Sequence, residues 1–333
     1  MVLPRLFSRL ACAALAAAAV GCSPTPGVTP IGPADEAQRL ASLTSLDERV
    51  ARVAWRLSAA NVALCPAVRQ SAGWALHSAK QYSEDLRPHA AERFGLRGDL
   101  PGVLAAPPGS PAAAAGLRPG DLLLTADGQS LAAGDHAGAP SWDGLGRNLR
   151  VVDEALADGD ARFRVQRGAE TLDLIVRPEP ACGYDVQLNP SDELNARADG
   201  RRLFISTALA GFAASDDELA VILGHELAHH VLRHRHWSET GGAARQVNAE
   251  AWRTDGGEGG AEQQADRVGL YLAARAGYDP SVAAPFWRRF GASNWRVRFP
   301  QIGHASAGAR AQALERVAQE IEAKRAAGEP LLP

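Results

Sequence analysis

The chain has 333 residues, a net charge of -3 and 46% hydrophobic residues. That length provides one large domain or two ordinary ones with a real core, and 22% charged residues exclude a chain disordered throughout. The near-balanced charge leaves no electrostatic footprint for nucleic acid, and 33 glycines with 21 prolines predict many turns.

Residues 1–21 have the layout of a signal peptide: Arg5 and Arg9 precede an apolar run from Leu10 to Val20, too short to span a bilayer stably. Ala19-Val20-Gly21-Cys22 resembles the bacterial lipobox. The resemblance implies lipid on Cys22 as a membrane anchor, and Ser23 after the cysteine implies the outer membrane. Residues 22–33, rich in proline and glycine, read as a tether. Processing leaves Cys65 and Cys182 in an oxidising, periplasmic compartment, where two thiols favour a disulfide.

Residues 34–91 read as a helical region that packs on the catalytic part. Leu40, Leu43, Leu46, Val50, Val53 and Leu57 recur at helical spacing, and mixed helical signal continues over 68–93. Residues 92–179 change character. The run from Gly109-Ser110-Pro111-Ala112 through Gly116-Leu117 to Gly120-Asp121 predicts a short helix and a turn; Leu122–Thr125 then reads as a strand, followed by a hairpin at Asp127-Gly128. A helix fits Trp142–Leu156, and strands fit Arg162–Gln166 and Thr171–Val176. The whole run resembles the PDZ domains of bacterial proteases. The resemblance implies a small β-rich domain that binds extended peptides or C-termini at a sheet edge, with a carboxylate-binding loop near Phe94–Val103.

Ser215 and Glu218 have the capping-box pattern, which starts a helix whose buried side carries Leu219, Ile222, Leu223 and Leu227. On that helix His225 and His229 are four residues apart, so both imidazoles project from one face and can hold one zinc ion. Glu226 is one residue round, placed to reach a water instead of the metal. A catalytic zinc needs a third protein ligand. The candidates are Glu250, Glu258 and Glu262, with the local His230, His234 and His236. Glu258 sits among glycines, and His234 and His236 read as a solvated basic stretch. Glu262 and Asp266 fall four apart on a helix expected over 262–276; Glu262 reads as the ligand and Asp266 as the acceptor for the outer N–H of a zinc histidine.

The run from Gly224 to His230, then Glu262 and Asp266, with Asn195 and Arg202–Ser206 upstream, resembles the gluzincin peptidases that include the CAAX prenyl protease and the heat-shock membrane protease. It covers about residues 185–325. It implies an α+β fold: a mostly helical zincin-type domain with a short edge-strand sheet, beside the small β-rich PDZ domain. Residues 202–207, with Leu203, Phe204 and Ile205, are the expected edge for substrate backbone. His304 is expected to donate to an oxyanion or to cap the metal, and Arg310 to support the ligands. The implied activity is zinc-dependent hydrolysis of peptide bonds in unfolded or misassembled envelope proteins, with Glu226 as the base. Glycine pairs over 241–260 suggest a loop above the cleft. The competing expectation is a chaperone-like binding protein, its PDZ domain capturing C-termini beside a structural or self-inhibited zinc site. Glu226 argues against it, because a structural site has no use for a base.

Overall fold

Apolar residues at helical spacing make α1 (Pro33–Ala60), and its two halves face different cores. Leu40 joins a cluster around an antiparallel sheet, whereas Val50, Val53 and Leu57 join the cluster of the helices that carry the histidines. The computed structural model describes residues 33–135, 137–198, 202–232, 258–293 and 305–333. The signal peptide, Cys22 with most of its tether, residues 241–257, and His234, His236, Glu250 and His304 lie outside the described residues.

After α1 come β1 (Val68–Ser71), β2 (Ala75–His77), α2 (Arg87–Phe94), β3 (Gly102–Ala105) and α3 (Pro111–Ala114). They are followed by β4 (Leu122–Ala126), β5 (Gln129–Ser130), α4 (Asp143–Ala157), β6 (Ala161–Arg167) and β7 (Glu170–Val176). The order β2-β3-β4-β6-β7 is antiparallel throughout, with β5 folded onto β4. The β4–β5 turn places Asp127 and Gly128 at φ 47° and 83°, the paired positive values of a type I′ hairpin. In β6 buried Ala161, Phe163 and Val165 alternate with exposed Arg162 and Arg164, so one face meets α4 and the core.

Two expectations change here. Residues 68–77 are extended, and β2 belongs to this sheet, so the sheet begins well before residue 92. Strands of three or four residues are too short to show a period-two pattern against helical neighbours. Phe94–Val103 is not an open peptide loop either. Phe94 closes α2, and Val103 lies in β3, which β2 and β4 flank on both sides. Among the described residues the sheet ends on β2 and on β7.

Next, β8 (Glu179–Cys182) pairs antiparallel with β1, and a disulfide joins Cys182 to Cys65 across 117 residues of chain. Then come β9 (Asp185–Asn189), β10 (Ala196–Ala198) and β11 (Arg202–Ser206), in the spatial order β10-β11-β9. This order corrects the edge expected at Leu203, Phe204 and Ile205: β11 is the middle strand, with β9 parallel on one side and β10 antiparallel on the other. Residues 196–198 fold back over the flank that β11 would otherwise expose, and Arg197 lays its guanidinium 4.2 Å from the Phe204 ring centre.

Helices complete the chain: α5 (Thr207–Phe212), α6 (Asp216–Val231), α7 (Glu258–Arg275), α8 (Ala283–Ser293) and α9 (Ala307–Ala327). Glu258 therefore opens a helix instead of sitting in a slack glycine segment. Among the described residues no helix is long and apolar enough to cross a membrane. The fold is α+β.

Candidate metal centre

The site is built on α6. Ser215 caps the helix by accepting the Glu218 amide at 3.2 Å. The reciprocal half of the capping box is displaced, because the Glu218 carboxylate accepts the Ala214 amide at 2.7 Å and is gripped by Arg289. Arg49 and Arg52 of α1 hold Asp216 in the same first turn, each at 2.9 Å. These acids also suit the positive end of the helix dipole.

The side chains that follow can converge only because α6 and α7 meet backbone to backbone. A Cβ on Gly224 would lie 2.6 Å from the Gly269 carbonyl oxygen, and one on Gly269 would lie 2.6 Å from the His225 nitrogen. The glycine pair sits beside the first histidine and lets α7 approach it. Glycine inside a helix costs roughly 0.5–1 kcal/mol relative to alanine. Two such residues in helices that touch were the signal that sequence reading passed over.

His225 Nε2 and His229 Nε2 are 3.2 Å apart, and each lies 3.4 Å from a carboxylate oxygen of Glu262. Metal–ligand bonds of about 2.0–2.1 Å in a tetrahedron separate neighbouring donors by about 3.3–3.4 Å. The donor set, two imidazole nitrogens and one carboxylate on three half-buried residues, therefore fits a zinc ion with one position left for water or substrate.

Outside the three ligands, His225 Nδ1 faces Asp266 Oδ1 at 3.0 Å. That bond sets the tautomer that presents Nε2 to a metal. Asp266 in turn accepts from Arg310 at 2.7 and 2.5 Å, and the Arg310 guanidinium stacks 3.5 Å over the Trp287 ring. Burial opposes charge on each of these groups, but the partners overcome it. Glu262 is lowered to about 2 by His225, His229 and Arg310, and Asp266 is lowered by Arg310 and His225. His225 is raised to about 9 by Asp266 and Glu262. All three shifts mean that the pocket stabilises positive charge at its centre.

Glu226 is buried and sits about 100° round the helix from His225. His230 turns away from the ligands and stacks on Tyr184, 4.1 Å between ring centres. Thus His225, His229, Glu262, Asp266 and Arg310 come together, while Leu203, Phe204 and Ile205 lie in the inner strand. Trp287, which backs Arg310, carried no motif and was found only by the fold. The outer strand β10 also packs against α6, so among the described residues the sheet edge nearest the histidine helix is Ala196–Ala198.

Residues 162–248 match the model of peptidase family M48, and residues 102–138 match a PDZ domain. No curated protein matches the chain. The histidine helix lies inside the first matched span and β3 to β5 inside the second, so the chain is similar to peptidase family M48 over the one and to a PDZ domain over the other.

Proposed function

We propose that this chain is a zinc-dependent endopeptidase of the bacterial cell envelope that cleaves unfolded or misassembled proteins. The observation that carries the reading is the convergence of His225, His229 and Glu262 on one point, with Glu226 next along the same helix.

His225, His229 and Glu262 would hold the zinc, and Asp266, clamped by Arg310, keeps His225 in its ligating tautomer. When bound, zinc supplies Lewis-acid polarisation of the scissile carbonyl and acidifies the attacking water. Glu226 takes the proton of that water and passes it to the leaving amine nitrogen. Substrate backbone lies along β10 in extended form, which tolerates varied side chains because the pairing uses main-chain groups. His304 donates to the oxyanion.

The envelope assignment is supported by Arg5, Arg9 and the apolar run ahead of Cys22, with Cys22 as the lipid anchor, and by the Cys65–Cys182 disulfide, which suits an oxidising compartment. The Ser23 that follows the anchor favours the outer membrane.

The test compares wild type with Glu226→Gln, both as residues 23–333. Zinc content should be one per chain in each, and casein cleavage should fall by about 10²–10⁴-fold in the variant. Equal cleavage by the two proteins, or zinc-loaded wild type that cuts nothing, overturns the proposal.

A further inference from the structure

The strand nearest the histidine helix reads Ala196-Arg197-Ala198, so arginine is the one long residue it carries. Among the described residues this strand ends the order β10-β11-β9. Successive residues of a strand face opposite sides of a sheet. Ala196 packs toward the core of the helices, in register with buried Ile205. Arg197 therefore stands on the other face, where it is exposed.

That face holds the cation without an anion. Arg197 pairs in register with Phe204, which pairs in turn with Gln187, and the guanidinium lies 4.2 Å from the Phe204 ring centre. Arg202 approaches the same ring at 5.1 Å. The acid of this sheet, Asp185, is opposite Arg202 and is bonded to Arg69. Among the described residues no carboxylate pairs with Arg197. The aromatic ring attracts the cation and restrains its long side chain. Part of the entropy that an exposed ion pair must lose is thus already lost before a partner arrives.

We propose that Arg197 is a specificity residue of the peptidase site, selecting substrates that carry an aspartate or glutamate at the one position paired with it across the β10 edge. The inference rests on the proposed function, in which substrate backbone lies along β10. In a strand seated there, the residue opposite Arg197 has its Cβ about 4.5–5.5 Å away on the same face. It extends the row Gln187, Phe204, Arg197 by one member. The substrate residues on either side of it turn to the other face, so a single position is read by charge. Backbone pairing supplies affinity whatever the sequence, and the arginine discriminates by attracting an acid and repelling a base.

The test starts from the bonds that the full chain cuts in unfolded casein, mapped by mass spectrometry. A fluorogenic peptide spanning one such bond is made, and each residue flanking the bond is replaced in turn by glutamate, glutamine and lysine. At one position kcat/KM should favour glutamate over glutamine by about fivefold and over lysine by about tenfold. The difference should lie in KM with kcat unchanged, because the pair is remote from the reacting bond, and about 1 M NaCl should shrink it. In Arg197→Glu the order at that position should reverse, and in Arg197→Lys it should persist. Zinc content and circular dichroism confirm that each variant is folded. The wild-type order surviving in Arg197→Glu, or a change of equal size at every position, as net charge alone would give, overturns the proposal. Casein cleavage is scored separately: cleavage with no charge order at any position removes only the role of Arg197, whereas zinc-loaded wild type that cuts nothing removes the peptidase reading and this inference with it.

Discussion

Gly269→Ala is the sharpest probe of how the metal centre is assembled. The new Cβ would lie 2.6 Å from the His225 nitrogen and 2.7 Å from the Gly224 carbonyl carbon, all main-chain atoms that cannot swing aside. Ordinary contact begins near 3.4 Å, so α7 must recede from α6 by about 0.8 Å. Glu262 and Asp266 both ride on α7, and their distances to the histidines, 3.4 and 3.0 Å, leave no slack for such a shift. Overpacking of this kind costs about 1–3 kcal/mol. Zinc affinity should fall by about 10–100-fold, the loss typical when an outer partner of a ligand is displaced. Competition with a chromophoric chelator gives the zinc Kd, and thermal unfolding gives the stability. Gly260→Ala is the control: it lies on the same helix, its Cβ meets nothing within 4 Å, and it should leave zinc binding intact. A Gly269→Ala protein that binds zinc as tightly as wild type would refute the claim that this glycine contact sets the ligand geometry.

Three further outcomes are expected. Asp266→Asn keeps the shape but removes the charge that pairs with buried Arg310, so zinc affinity should drop about 10–100-fold and stability by about 3 kcal/mol; an unchanged Kd in the chelator assay would show that Asp266 does not orient His225. Replacing Cys65 and Cys182 together by serine reopens a link across 117 residues, and denaturant unfolding should report a loss of about 2–4 kcal/mol, whereas a midpoint equal to wild type would show that the bridge adds nothing. The Glu320 carboxyl is held down to about 2 by Arg267, with help from Tyr271, against an unfolded value of 4.5. Its stabilisation is therefore present above about pH 4.5 and fades as pH falls toward 2, and it is modest because Glu320 is more than a third exposed. The Tm gap between wild type and Glu320→Gln should narrow from pH 7 to pH 3, and a constant gap would contradict the linkage.

Most of the metal centre was legible from spacing. His225 and His229, and Glu262 and Asp266, are i and i+4 pairs, and a helix converts that interval into a shared face whatever surrounds it. The PDZ strands and the Asp127-Gly128 hairpin were legible for the same reason, since turn chemistry and alternation are carried by neighbours in the chain. The short strands β1 and β2 were not, because three or four residues hold too little pattern to outweigh the helical signal around them.

The sequence by itself thus determined which side chains share a helix face and can bind a metal, and on what elements they sit. Only the tertiary structure decided which strands are edges. Leu203, Phe204 and Ile205 have a strand's composition, but whether a strand is open depends on what pairs with it, and residues 196–198 cover it. Likewise, the approach of Gly224 to Gly269 and the stacking of Arg310 on Trp287 each join residues far apart in the chain. Local periodicity is set by consecutive residues, whereas edge exposure and close contact are properties of partners that meet only once the whole chain has folded.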